Sequence, residues 1–213
     1  MLFVFDWDGT LIDSTGKIIR CMHQAVEEVG LEPRTDLQVQ NIIGLGLPEA
    51  ITRLFPGIET DAMGALRAAY SRHFIEADRI PCEFYPGVYT VLETLREQGH
   101  LLAVATGKSR RGLNRVLGNL EMTRFFDATR CADETASKPN PLMLEQLLAE
   151  LNSPREQAVM IGDTTYDLAM ANNAGLGSIA VSYGAHSKDQ LMTQQPLHCI
   201  DHFDELLVWL RQQ

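Results

Sequence analysis

Four short, continuously apolar runs punctuate the chain: LFVF at 2–5, LLAVA at 101–105, AVMI at 158–161 and SIAV at 178–181. They read as strands of a parallel sheet covered on both faces. Helical patterns lie between the later runs. Residues 88–98 end at Gly99, and residues 109–120 start at Ser109. Residues 141–151 take Asn140 as cap with Pro141 at the first helical position; residues 166–174 lead to Gly175, and residues 203–211 close the pattern. Strand–helix alternation at these lengths predicts a doubly wound, Rossmann-like α/β domain.

The stretch from about 15 to 80 departs from that pattern and shows no convincing strand. Residues 17–30 place Ile18, Ile19, Met22, Val26 and Val29 on one helical face before Gly30. Asp36 is positioned to cap a short helix to Ile43, Pro48 opens another through Phe55, and Thr60 or Asp61 begins a long one through Glu76. The predicted organisation is therefore a core of residues 1–14 plus 82–213, with an all-helical cap inserted at 15–81. The link at 13–16 and PCEFYPGV at 81–88 read as the two crossings of a hinge, since Pro and Gly punctuate them.

Composition narrows the partners. A chain of 213 residues with 45% apolar content can bury one large core or a core with a modest insertion. The net charge is −10 and no block of Lys or Arg occurs, which argues against a nucleic-acid or anionic-membrane surface. A small anionic substrate stays compatible, because it answers to the local field of one pocket. Cys21, Cys82, Cys131 and Cys199 are scattered without a CxxC pair. No apolar run approaches the roughly 20 residues of a membrane span, and MLFVF runs straight into acids, unlike a signal peptide. A reduced, soluble, cytoplasmic protein is expected. No pattern in the sequence specifies an oligomeric state.

Ligands of open α/β sheets bind at the carboxyl ends of the strands, so the residues after each run are the candidates for chemistry. Those are Asp6-Trp7-Asp8-Gly9-Thr10, Thr106-Gly107-Lys108-Ser109 and Gly162-Asp163-Thr164-Thr165-Tyr166-Asp167, joined by the loop Ser137-Lys138-Pro139-Asn140. Four carboxylates, a hydroxyl and an ammonium would share one sheet edge. Without a cation that cluster is strongly unfavourable, and oxygen-only ligands select a hard ion, Mg²⁺. A metal beside Lys138 and the start of the 109–120 helix suits a phosphoryl group. The i, i+2 spacing puts Asp6 and Asp8 on one side of an extended segment, so one can attack while the other moves protons. Gly9 allows a tight turn beside the ligand.

Taken singly, these signals have plainer readings. Thr106-Gly107 alone fits a strand-to-helix turn, Lys138 alone a solvated lysine, and Asp167 a first-turn helix acid. Their order along the chain is what raises them. DWDGTLIDS resembles the first motif of the haloacid dehalogenase superfamily, usually with Phe between the acids. Thr106, Lys138 and GDTTYD match its second, third and fourth motifs. The helical insertion and YPGV are similar to the phosphoglycolate phosphatase-like branch.

The resemblance implies an Mg²⁺-dependent phosphatase of a small phosphorylated metabolite. Asp6 would be the nucleophile that forms an aspartyl-phosphate, and Asp8 the general acid and base. Asp6, the Asp8 carbonyl and Asp163 would hold the metal, with Asp167 orienting its shell or Lys138. Thr106, Gly107 and Lys138 would bind the phosphoryl group. An acid at position 8 favours phosphoryl transfer over carbon–halogen cleavage, and Trp7 is expected to pack on the sheet. Substrate choice is assigned to the cap segment 43–49, with Gly44 and Gly46 allowing close approach. A phosphosugar mutase, a pyrophosphatase and a non-catalytic binding protein are the alternatives.

Outside the set, His198 and His202 read as surface or packing, and Arg110-Arg111 as a solvated first turn at the pocket rim. Arg20 and His23 on the first cap helix either face the site or are solvated.

Overall fold

The computed structural model describes residues 1–212. Strand β1 (Leu2–Phe5) is completely buried at the middle of a six-stranded sheet. The others are β2 (Leu101–Thr106), β3 (Ala128–Cys131), β4 (Ala158–Gly162), β5 (Gly177–Val181) and β6 (His198–Ile200). Their order is β3-β2-β1-β4-β5-β6 and every pairing is parallel. β1 reads as an unbroken apolar run because both of its faces are covered. Phe3 and Phe5 pack with Val88, Leu92, Leu95 and Phe203 on one side, and Leu2 and Val4 with Met143, Leu147 and Met170 on the other. Trp7 joins the first cluster, edge-on to Phe126, as expected.

The helices are α1 (Thr15–Val29), α2 (Asp36–Gln40), α3 (Leu47–Leu54), α4 (Thr60–Ala77), α5 (Val88–Glu97), α6 (Arg110–Asn119), α7 (Leu142–Glu150), α8 (Thr165–Ala174), α9 (Lys188–Met192) and α10 (Glu205–Leu210). Two caps differ from the sequence reading. Thr35, not Asp36, caps α2, through a reciprocal bond with Gln38, and that helix stops at Gln40. Pro141 occupies the cap of α7, while Asn140 accepts from the Leu142 amide just outside it. Strand β3 and helix α9 carry too few apolar residues to have been predicted. Strand β6, three residues at the other sheet edge, is too short for an apolar run to mark it.

Between β1 and β2 the chain makes its helical excursion. Helices α1 to α4 close around a core of their own, which includes Met22, Val26, Ile51, Leu54 and Leu66. The two crossings lie side by side: Ile12 bridges antiparallel to Phe84, and the Tyr85 and Asp13 amides donate to Leu11 and Glu83 carbonyls at 3.0 Å each. The helices sit down on the strand ends. Gln40 donates to the Ala185 carbonyl at 2.7 Å, and Tyr166 to the Asn41 carbonyl at 2.7 Å. Asp78, at the end of α4, accepts from Arg115 of α6 at 2.6 Å and from Lys17 of α1 at 3.2 Å.

Candidate active site

Asp6 extends β1 by one residue, its amide donating to Ile161 of β4 at 2.9 Å. The chain then turns at Gly9, whose φ of +82° is left-handed and whose absent Cβ would lie 2.2 Å from Asp163 Oδ2. That turn sets the first loop directly against the one after β4. Lys138 arrives from the loop before α7, and its Nζ lies 2.6 Å from both Asp6 Oδ1 and Asp167 Oδ1. These side chains are all but inaccessible. Their spacing is that of ion pairs, without the direction of good hydrogen bonds.

The other two carboxylates are fixed by donors around them. Asp163 Oδ1 accepts from the Thr10 hydroxyl and its Oδ2 from the Ala185 amide, each at 2.7 Å. Asp167 Oδ2 accepts from the Thr164 amide at 3.0 Å and hydroxyl at 2.6 Å, as one half of the α8 capping box. Asp6, Asp163 and Asp167 each offer a carboxylate oxygen within 4.8 Å of the others. Among the described residues, Asp6 Oδ2 is buried and makes no hydrogen bond.

One ammonium cannot balance three buried carboxylates. Burial raises Asp6 well above its ordinary value, against the pull of Lys138 and with a further push from Asp167 and Asp163. Burial followed by Asp167 lifts Asp163 to about 7. Lys138 shows the converse: burial presses it down, but Asp167 and Asp6 outweigh this and hold it above its ordinary value. An uncompensated oxygen on Asp6 and excess negative charge among hard oxygen donors fit a small divalent cation, Mg²⁺.

Asp8 sits in a different setting from its neighbour. Its carboxylate takes both oxygens to Lys108 Nζ at 3.0 Å and accepts from Ser14 Oγ at 2.6 Å. Lys108 also lies 4.7 Å from the centroid of the Phe74 ring on α4, so cap and core meet at this cation. Thr106 ends β2, its hydroxyl accepting from the Lys108 amide at 3.1 Å. Any side chain at Gly107 would meet the Gly44 and Leu45 carbonyls at 2.5 and 2.6 Å, so this glycine is what lets the cap loop approach.

A cavity of about 250 Å³ opens between the helices and the strand ends. Asp6, Asp8, Thr106, Gly107 and Gly44 line it. Lys138, Asp163 and Asp167 lie out of its wall. Gly46 was expected to face a ligand, but it too is outside the lining; its amide donates to Ser137 Oγ at 2.9 Å and pins the loop to the core. Arg111 is exposed at the cavity, whereas Arg110 is paired with Glu134 at 2.7 Å. His23 pairs with Asp36, Arg20 is exposed, and His198 and His202 are surface residues.

Sequence reasoning gave no individual role to the support around the acids, Lys108, Ser14, Thr10 and Thr164, although all four stand in the candidate segments and motifs. Lys108 stood only two residues beyond Thr106. Its significance depends on a partner 100 positions away, so no local pattern announced it.

Comparison with known proteins supplies an independent line. The family model described as haloacid dehalogenase-like hydrolase matches residues 3–181. "Probable phosphatase IndB" of Dickeya dadantii is 32% identical, covering 97% of this chain and 91% of that protein. "Phosphoglycolate phosphatase" of Aliivibrio fischeri is 30% identical over 98% and 96%, and "Pyrophosphatase PpaX" of Halalkalibacterium halodurans 31% over 96% and 94%. Among solved structures, a hydrolase from Pseudomonas syringae superposes with a TM-score of 0.90 at 20% identity, covering 100% of this chain and 98% of that one.

Proposed function

Because the chain belongs to the haloacid dehalogenase-like hydrolases, we propose that it is an Mg²⁺-dependent phosphatase acting on a small phosphomonoester through an aspartyl-phosphate. The observation that carries this reading is the contrast between its two neighbouring acids: Asp6 against Lys138 among buried carboxylates, Asp8 on Lys108 and Ser14 at the same cavity.

Asp6 attacks phosphorus through a carboxylate oxygen as the ester P–O bond breaks, and Asp8 delivers a proton to the departing alcohol. Water then attacks the phosphoryl group, gives its proton to Asp8, and phosphate leaves with Asp6 restored. Thr106 and the Gly107 amide, just ahead of α6, would hold the phosphoryl oxygens, and Lys138 offsets the charge on Asp6. Asp6, Asp163 and the Asp8 carbonyl would hold Mg²⁺, which would supply positive charge to offset the negative charge of the phosphoryl group, with Asp167 keeping Lys138 in place. An acid at position 8 has a purpose only where a leaving oxygen needs a proton, which favours phosphoryl transfer over carbon–halogen cleavage.

Among the alternatives, a hexose-handling mutase would need several cap groups to pair sugar hydroxyls, since each one left unpaired costs about 1–3 kcal/mol. The cap lining supplies only Tyr70 and Ser71 as polar side chains. A pyrophosphatase, the activity named for one relative, would use the same Asp6 chemistry. Among the described residues, no helix is long and apolar enough to cross a membrane, in keeping with action on a dissolved metabolite in the cytoplasm.

The test is inorganic phosphate release from a panel of phosphomonoesters and pyrophosphate, with and without Mg²⁺, beside an Asp6→Asn variant. Mg²⁺-dependent release that the variant abolishes is expected. Release that persists in the variant would remove Asp6 as nucleophile, and no Mg²⁺ binding by calorimetry would turn the reading to a non-catalytic binding protein.

A further inference from the structure

The phosphatase reading leaves the alcohol unnamed, and the cavity wall speaks to it. Resting on that reading, we infer that the substrate is a phosphomonoester whose alcohol carries an apolar body, a ring or branched chain, and no second anionic group.

The charge pattern of the wall carries this. The cap lines the cavity with residues that include Ile18, Met22, Ile43, Leu45, Tyr70 and Phe74, and contributes no charged side chain to it. The core contributes three cations, two of them held by carboxylates and the third at the exposed rim. Lys108 is paired with Asp8, Arg115 with Asp78, which it shares with Lys17 outside the cavity, and Arg111 is exposed to solvent. A carboxylate or second phosphate buried against the cap wall would lose its water to hydrocarbon. It could meet an unpaired cation only at the exposed rim, on Arg111, where a solvated ion pair contributes little. Buried apolar surface on the alcohol gains there instead.

The shape agrees. Tyr70 and Phe74 stand one helical turn apart on α4, their centroids 5.7 Å apart and tilted by 38°. Phe74 also covers Lys108, which holds Asp8, so the leaving oxygen departs beside an aromatic wall. About 250 Å³ is close to the roughly 300 Å³ at which small-molecule pockets begin. Tyr70 is the one hydroxyl on that aromatic wall. Burial and then Asp8 push its phenol well up, which keeps it a neutral donor for a single polar atom of the alcohol.

The experiment compares kcat/KM, with Mg²⁺, for benzyl phosphate and 3-methylbutyl phosphate against phosphoglycolate, glucose 6-phosphate and pyrophosphate. The esters compared are all alkyl esters, so that leaving-group reactivity does not decide their order; pyrophosphate, an anhydride with a better leaving group, tests only whether a second phosphate is accepted. The apolar esters are expected to be better by about tenfold or more. A Leu45→Arg variant, altering a half-buried cap residue, should narrow or invert that ratio by raising phosphoglycolate and lowering benzyl phosphate. Calorimetry with benzylphosphonate and phosphonoacetate reads the same preference from binding alone, and should favour the benzyl compound by a similar factor. Equal or better turnover of phosphoglycolate, glucose 6-phosphate or pyrophosphate would overturn the inference and leave the phosphatase standing. No turnover of any ester, with benzylphosphonate still bound preferentially, would sink the catalytic reading and retain the apolar pocket. Preference for phosphonoacetate in that case would sink both.

Discussion

Two aspartates separated by one residue end up in opposite surroundings, and the proposed mechanism divides their labour along that difference. Asp6 is enclosed with Lys138 among other acids, while Asp8 is steered by a lysine and a serine from separate segments. Replacing Asp8 by Asn should lower kcat on alkyl esters by about 10²- to 10⁴-fold, the usual worth of a general acid. The loss should be smaller for an aryl phosphate such as 4-nitrophenyl phosphate, whose leaving group needs no proton. Equal losses on both ester types in steady-state assays would remove Asp8 from the leaving-group step. Asp6, Asp8, Thr106, Lys138 and Asp163 were legible in the sequence because each follows an apolar run or stands in an ordered motif. The roles of Lys108 and Ser14 were not, although both stand in those segments, since what each does is decided by where Asp8 comes to lie.

At the scale of elements, the residues that seat the cap are few and polar. Asp78 joins α4 to both α1 and α6, and its carboxylate is largely buried with Lys17 and partly so with Arg115. Asp78→Asn keeps the shape but removes the negative charge that pairs two cations, one of them, Arg115, at the cavity wall. We expect the cap to close less firmly, so that kcat falls and KM rises together by several-fold in initial-rate measurements. Unchanged values of both would exclude Asp78 from closure. The four central strands and the long helices could be read from apolar continuity and 3.6-residue periodicity. β3 could not: it lies at the sheet edge, where Thr129 and Arg130 are tolerated and Arg130 is tied to Gln146 of α7. α9 is short and held by its Ser187–Gln190 cap, so periodicity had no length in which to show.

For the whole molecule, the acid cluster opposes folding in the absence of metal. Asp163 ionises near 3.8 when solvated and at about 7 in the fold, so between those values the native state keeps a proton the unfolded chain has lost. Metal-free protein should therefore lose stability as pH rises from about 4 to 7, with Asp6 adding to the same trend. Mg²⁺ should raise the melting temperature more at pH 8 than at pH 5, and an equal increment at both would contradict the placement of the ion among these carboxylates. The excursion of α1 to α4 has a consequence for how such a chain can diversify. It leaves and re-enters through segments that lie side by side, with Ile12 bridging Phe84. The ends of the excursion are thus already joined, and the strands contribute nothing to its interior. Its helices can lengthen, shorten or exchange their inward side chains while β1 keeps Asp6 in register with Ile161. The ester that is recognised can drift while the chemistry performed on it is inherited intact.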